Sequence, residues 1–197
     1  MSAHIQDGVY YVADHDPPAP GCKDRGEDCC FLAKHPEPKG ILLECGCHPQ
    51  DAFFEIDGCA QKEPVFVLDS LTVDTTCLCR PLVKIEFSSI VCFEGEAKCG
   101  CEKELEVDLS FELVRNCKGE KECVQSWRYV KAFEIKYDDK LKVKISEPFT
   151  VTFCDRPCPG CCEYKMTVKV KDLRGDIDAL RVVQPNLSAL AQGLCDH

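Results

Sequence analysis

From Glu104 to Leu113 the chain alternates without a break. Leu105, Val107, Leu109, Phe111 and Leu113 are separated by Glu106, Asp108, Ser110 and Glu112. A period of two puts the apolar set on one face of a strand and the polar set on the other. Val83, Ile85 and Phe87 alternate in the same way with Lys84, Glu86 and Ser88, and the phase then slips at Ser88-Ser89, which predicts a bulge. Trp127, Tyr129, Phe133, Ile135 and Tyr137 share one face of a long strand. Further runs follow at Leu141, Val143 and Ile145, at Phe149, Val151 and Phe153, and at Tyr164, Met166, Val168 and Val170. Shorter apolar stretches at 41–44, 52–56, 65–73 and 179–190 bring the expectation to about nine strands. No segment shows a helical period. Turn chemistry separates the runs at Glu94-Gly95-Glu96, Lys118-Gly119-Glu120, Asp138-Asp139 and Pro157-Cys158-Pro159-Gly160. The expected fold is all-β, a two-sheet sandwich of jelly-roll type.

Residues 1–40 read differently. Pro17, Pro18, Pro20, Pro36 and Pro38 and three cysteines lie in a stretch with no sustained period. That composition predicts an extended N-terminal arm with a loosely ordered start, ahead of a β-sandwich domain at 41–197.

Charge narrows the partners. The net charge is -10 and no basic stripe is present, which disfavours nucleic acid. No apolar run approaches the ~20 residues of a membrane helix. No GxSxG, HExxH, P-loop or GxGxxG motif occurs, and the many carboxylates alternate with strand residues as a solvated face. The expectation is a protein that is not an enzyme, with no cofactor and no small-molecule substrate.

Eighteen cysteines in 197 residues change the picture most. Such usage signals an oxidised, exported protein or a metal binder. Yet the start, Met-Ser-Ala-His-Ile-Gln-Asp, has neither a basic nor an apolar signal region. Either the thiols stay reduced and hold metal, or the protein is made inside a cell without a signal peptide and exposed when that cell lyses.

Cys117 and Cys123 bracket Lys118 to Glu122, so a bridge across a hairpin mouth is expected there. Cys154 stands in the same relation to Cys161 or Cys162 around the next turn, with Cys158 inside it. The pairs Cys45/Cys47, Cys77/Cys79 and Cys99/Cys101 are spaced i, i+2. In a strand such residues share a face but sit about 6.5 Å apart, so each would bond elsewhere. Adjacent Cys29-Cys30 and Cys161-Cys162 would grip two separate partners each. The competing readings are intrachain staples or buried small hydrophobes throughout, a metal site at Cys154, Cys158, Cys161 and Cys162, whose spacing matches no standard cluster, or one around Cys45, Cys47 and His48, half of whose ligands would have to come from elsewhere.

The segment Leu71-Thr72-Val73-Asp74-Thr75-Thr76-Cys77-Leu78-Cys79-Arg80-Pro81-Leu82-Val83-Lys84-Ile85-Glu86-Phe87-Ser88-Ser89-Ile90 resembles a cysteine-rich family from anaerobic, clostridial-type spore formers. So do the blocks Arg115 to Trp127, Phe153 to Tyr164 and Gln184 to Leu190, and the likeness spans roughly 41–191. The pattern of a strand, Pro, and Val-x-Ile-x-Phe-Ser-Ser is in turn similar to the endospore appendage (Ena-type) pilins. That resemblance implies jelly-roll subunits stacked by β-sheet augmentation, with arm cysteines crosslinking neighbours. Cys22, Cys29 and Cys30 match in kind. This arm is longer and this core richer in cysteine, so the pattern of bonds does not carry over. The implied function is a pilin of an extracellular, endospore-borne filament, a self-assembling head-to-tail homopolymer released by mother-cell lysis. Its intersubunit disulfide candidates are Cys22, Cys29, Cys30, Cys77, Cys79, Cys161 and Cys162. The alternatives are a crosslinked spore-coat or exosporium protein, or a reduced intracellular metal-binding protein. An arm of about 40 residues could extend to ~120 Å, ample to reach a neighbour.

Overall fold

A computed structural model describes residues 4–11, 41–56, 64–97, 104–134 and 141–194, the first segment as backbone only. Ten strands run in chain order: β1 (His4–Tyr11), β2 (Ile41–Cys45), β3 (Ala52–Phe54), β4 (Phe66–Asp74), β5 (Pro81–Ala97), β6 (Glu104–Cys117), β7 (Glu120–Glu134), β8 (Leu141–Asp155), β9 (Cys161–Arg174) and β10 (Asp176–Gly193). One sheet has the order β1-β7-β6-β9-β4 and the other β2-β10-β5-β8, with β3 also on β10. Every pairing is antiparallel. The fold is a two-sheet β-sandwich. From β4 onward only the β6–β7 hairpin stays within one sheet; every other connection between successive strands crosses to the facing one.

The alternating faces go where their period sends them. Leu105, Val107, Leu109, Phe111 and Leu113 are fully buried, as are Trp127 and Tyr129 beside them on β7. Phe111 stacks on Phe149 of the opposite sheet, with ring centroids 4.0 Å apart, and Phe87 lies 6.2 Å away. Lys131 shares the inward face of Tyr129 and Phe133, yet it is accommodated. Its ammonium pairs with Glu147 of β8 at 3.1 Å, and Tyr129 donates its hydroxyl to the same carboxylate at 2.5 Å. Ile135 and Tyr137 lie outside the described residues.

Several expectations are corrected. The runs at 141–145 and 149–153 are one fifteen-residue strand, β8, which passes straight through Pro148. Proline is tolerated because β8 is an edge strand, where one side of the backbone needs no ladder partner. The Glu94-Gly95-Glu96 turn does not form; these residues continue β5. Gly95 serves packing there, since a Cβ on it would fall 2.8 Å from Asp176 O and 3.0 Å from a Leu105 methyl.

The bulge expected at Ser88-Ser89 lies on the partner strand. Val183 pairs with Ile90 and Asn186 with Ser88, so Gln184 and Pro185 of β10 together face Ser89. Gln184 takes φ 54° to make it. The phase of β5 itself never slips: Ser89 is a buried inward position, and its hydroxyl has no partner among the described residues.

The start of the arm is also a strand. β1 adds to the outer edge of β7 in unbroken register from His4 opposite Glu134 to Tyr11 opposite Trp127. An edge strand offers a row of unpaired N–H and C=O groups, and a stretch without proline can satisfy them. Among the described residues β8 has no neighbour beyond β5, and β2 none beyond β10.

Candidate functional site

The turn between β6 and β7 decides the cysteine geometry at one end of the sandwich. Lys118 and Gly119 both adopt positive φ, 55° and 88°, the signature of a two-residue hairpin turn. Cys117 is therefore opposite Glu120, and Cys123, three rungs further on, is opposite Val114. The expected Cys117–Cys123 bridge does not form, because the loop is two residues long and not five. Cys117 instead bonds Cys162, its direct partner across the β6–β9 ladder, with Cα atoms 4.4 Å apart. Cys162 is thus a buried intrachain staple, which removes it from the intersubunit candidates. Cys154 points outward and is free, so it bridges neither Cys161 nor Cys162.

A polar network lies beside this disulfide. Arg115 Nη1 donates to both carboxylate oxygens of Asp155 at 2.9 and 2.8 Å, and Nη2 to Glu122 at 2.7 Å. Tyr164 donates its hydroxyl to Asp155 Oδ2 at 2.8 Å. Burial opposes the charge of Arg115, but Asp155 and Glu122 outweigh it and hold the guanidinium above its ordinary value. Burial, reinforced by the charge of Asp155, pushes the Tyr164 phenol well up. Arg115 and Tyr164 come from one sheet and Asp155 from the other, so the network ties the two sheets together at this end.

The loops here are pinned as well. Thr75 donates its backbone N–H to Gly160 O at 2.8 Å, and its hydroxyl joins the same contact at 2.9 Å. This joins the β4–β5 connection, which carries Cys77 and Cys79, to the β8–β9 connection, which carries Cys158. Cys77 and Cys79 are loop residues, not strand residues. Cys79 and Cys158 are disulfide-bonded within the chain, which removes Cys79 as well from the intersubunit candidates and agrees with Cys158 as an intrachain one, while Cys77, Cys154 and Cys161 are free and exposed. Cys123 is free and exposed too, and partial burial and the charge of Glu112 push its thiol up. Eight of the eleven described cysteines thus sit at or near the end where β4, β6 and β8 finish.

A thiol locked in a disulfide cannot serve as a thiolate ligand, and Cys158 and Cys162 are both so locked. Among the described residues no three His, Cys, Asp or Glu side chains converge on a common point. Cys22, Cys29 and Cys30, with Cys59, Cys99, Cys101 and Cys195, lie outside the described residues.

The outer surface of the β2 edge was not anticipated. Leu43 faces Leu190 directly across the β2–β10 ladder and both are exposed, with Ile41 next along the strand. The hint in the sequence was Ile41-Leu42-Leu43, apolar on both faces at once. The Arg115–Asp155–Tyr164 network left no comparable hint, because its members are far apart along the chain.

No curated protein matches the chain. A family model does match residues 39–192, from just ahead of β2 to the last turn of ladder in β10. The chain belongs to the DUF4489 family, a domain of unknown function.

Proposed function

We propose that this protein is a non-enzymatic structural subunit, a jelly-roll pilin that assembles with copies of itself into an extracellular, spore-borne filament. The observation that carries this reading is the gathering of exposed, free thiols (Cys77, Cys154 and Cys161) at one end of a sandwich whose other described thiols there are mostly already bonded. Those three are available to cysteines from elsewhere. Cys22, Cys29 and Cys30 on the arm are the proposed donors, reaching a neighbouring copy and oxidised to disulfides once lysis admits dioxygen.

Strand order supports the jelly-roll part: β2-β10-β5-β8 facing β4-β9-β6-β7 is eight strands, four to a sheet. Edge geometry supports augmentation. β2 and β8 are the two outer strands of one sheet and run in opposite directions. A translated neighbour's β8 beside β2 would continue the antiparallel alternation and set its own outward side chains beside Ile41 and Leu43. Such a head-to-tail contact does not close on itself and grows as a fibre.

Electron microscopy of the purified protein, with non-reducing gels after boiling in detergent, tests the reading. Filaments and a ladder of crosslinked species are expected. Changing Cys22, Cys29 and Cys30 together to Ser should leave a folded sandwich and abolish the ladder. Equally robust filaments from that variant would show that the arm is not the crosslinker, and a lone monomer band from the parent would overturn the pilin reading. Crosslinked sheets without fibres would point to a coat protein instead.

A further inference from the structure

One free thiol differs from the rest, and it lies away from the cysteine-rich end. Cys47 follows β2 at the corner where the two sheets meet. Its Sγ is 2.9 Å from Nδ1 of His48, and both side chains are exposed. The thiol hydrogen has a second, more distant acceptor in Ser70 O at 3.6 Å. The other free thiols have no such neighbour among their described hydrogen bonds: Cys92 meets the Ser146 hydroxyl at 3.4 Å, and Cys123 donates to a carbonyl.

The backbone beneath the pair is held on every side. Gly46 donates its N–H to Leu187 O at 2.7 Å, Cys47 to Ser70 O at 3.1 Å, and Gln50 to Leu68 O at 2.7 Å. His48 donates its N–H to the buried carboxylate of Asp69 at 3.2 Å. The same carboxylate fills the space below Gly46 so closely that a Cβ there would lie 1.9 Å from Oδ2. A backbone held this firmly fixes the two Cα positions, so that thiol and imidazole remain within reach of each other.

We propose that Cys47 and His48 form a thiol–disulfide exchange site for low-molecular-weight disulfides, separate from the crosslinking end. The thiolate of Cys47 attacks one sulfur of the incoming disulfide after its proton passes to His48 Nδ1. A bond forms between Cys47 Sγ and that sulfur, the original S–S bond breaks, and the departing thiolate takes the proton back from the imidazole. One disulfide is consumed and one formed, so no further oxidant enters. An ordinary thiol is only a few per cent ionised near neutral pH, and a positioned base raises the rate of attack by about threefold after allowing for the lower intrinsic nucleophilicity of the thiolate it favours.

The test uses the full chain, reduced, freed of reductant and exposed to limiting glutathione disulfide near neutral pH. Time-resolved peptide mapping should find Cys47 modified about threefold faster than Cys77, Cys154 and Cys161. His48→Gln should bring Cys47 down to their rate while leaving theirs unchanged, and an unaltered circular dichroism spectrum excludes misfolding. A Cys47 rate within twofold of the other exposed thiols, or one indifferent to His48→Gln, overturns the proposal. The result does not depend on whether filaments form, so it stands or falls separately from the pilin reading.

Discussion

Asp69 of β4 accepts the backbone N–H of Leu187 on β10 at 3.1 Å, so a buried carboxylate on the edge of one sheet ties down a central strand of the other. Its second oxygen accepts from Ser70 N at 2.8 Å and from His48 N at 3.2 Å. Three backbone donors converge on one side chain beside a register shift at Val67/Asp69 that turns it inward.

Asp69→Ala strands those donors and opens a void under Gly46. A cost of about 3 kcal/mol is expected, the sum expected when a buried charged hydrogen-bond partner is lost. Urea titration checks it. Gly46→Ala should be comparably harmful because its methyl has nowhere to go but into the carboxylate. If both variants are as stable as the parent, the corner does not hold the sheets together.

Phe111 is fully buried and stacked on Phe149. Phe111→Asp puts an unpaired charge between the sheets, and soluble folding should be lost. Phe111→Leu should fold with a deficit of about 1–2 kcal/mol, from lost contact area. Circular dichroism and denaturant titration measure both.

The Cys117–Cys162 bond closes a loop with a sequence separation of 45. Chain-entropy arguments give about 4 kcal/mol for a loop of that length. Cys117→Ser or Cys162→Ser should therefore each lower stability by roughly that amount under oxidising conditions. Cys123→Ser should change little, since that thiol has no disulfide to lose. The comparison, run by thermal or urea denaturation, separates the ladder partner from the loop neighbour. An equal loss from Cys123→Ser would contradict the assignment.

Tyr164 sets an alkaline limit. Burial and Asp155 raise its phenol above the ordinary value of 10.0. The folded state then keeps a proton that the unfolded chain gives up, so this contribution is complete below pH 10 and is lost as pH rises above it. Tyr164→Phe should cost about 1 kcal/mol at neutral pH for the lost hydrogen bond. Its stability should also fall less steeply than the parent's above pH 10, which denaturant titrations on either side of that value would reveal.

Strand identity and facing were legible because period two is a local property. Once Leu105 to Leu113 alternate, only one face can be buried, whatever the partner. The same reasoning failed where the informative quantity was which strand lies alongside. Phe149 and Ile145 looked like separate runs because Pro148 punctuates them; it is harmless only on an edge, and edge position is a property of the sheet. Ser88-Ser89 looked like a slip because a polar residue stands where an apolar one is due, while the extra residue belongs to β10.

The cysteines show the same division. Their number and the Lys118-Gly119 turn are in the sequence, and so was the principle that disulfides join cross-strand neighbours. Which residues are neighbours across the β6–β9 ladder was not. Cys117 and Cys123 are six positions apart in the chain but three rungs apart in the hairpin, whereas Cys162 arrives beside Cys117 only when β9 pairs with β6. Arg115, Asp155 and Tyr164 meet for the same reason, and so do Asp69 and Leu187. Alternation acts on each residue through its own backbone geometry and needs no partner. A disulfide, a buried ion pair or a pinned corner needs two groups brought within a few ångströms, and only the packing of distant strands supplies that.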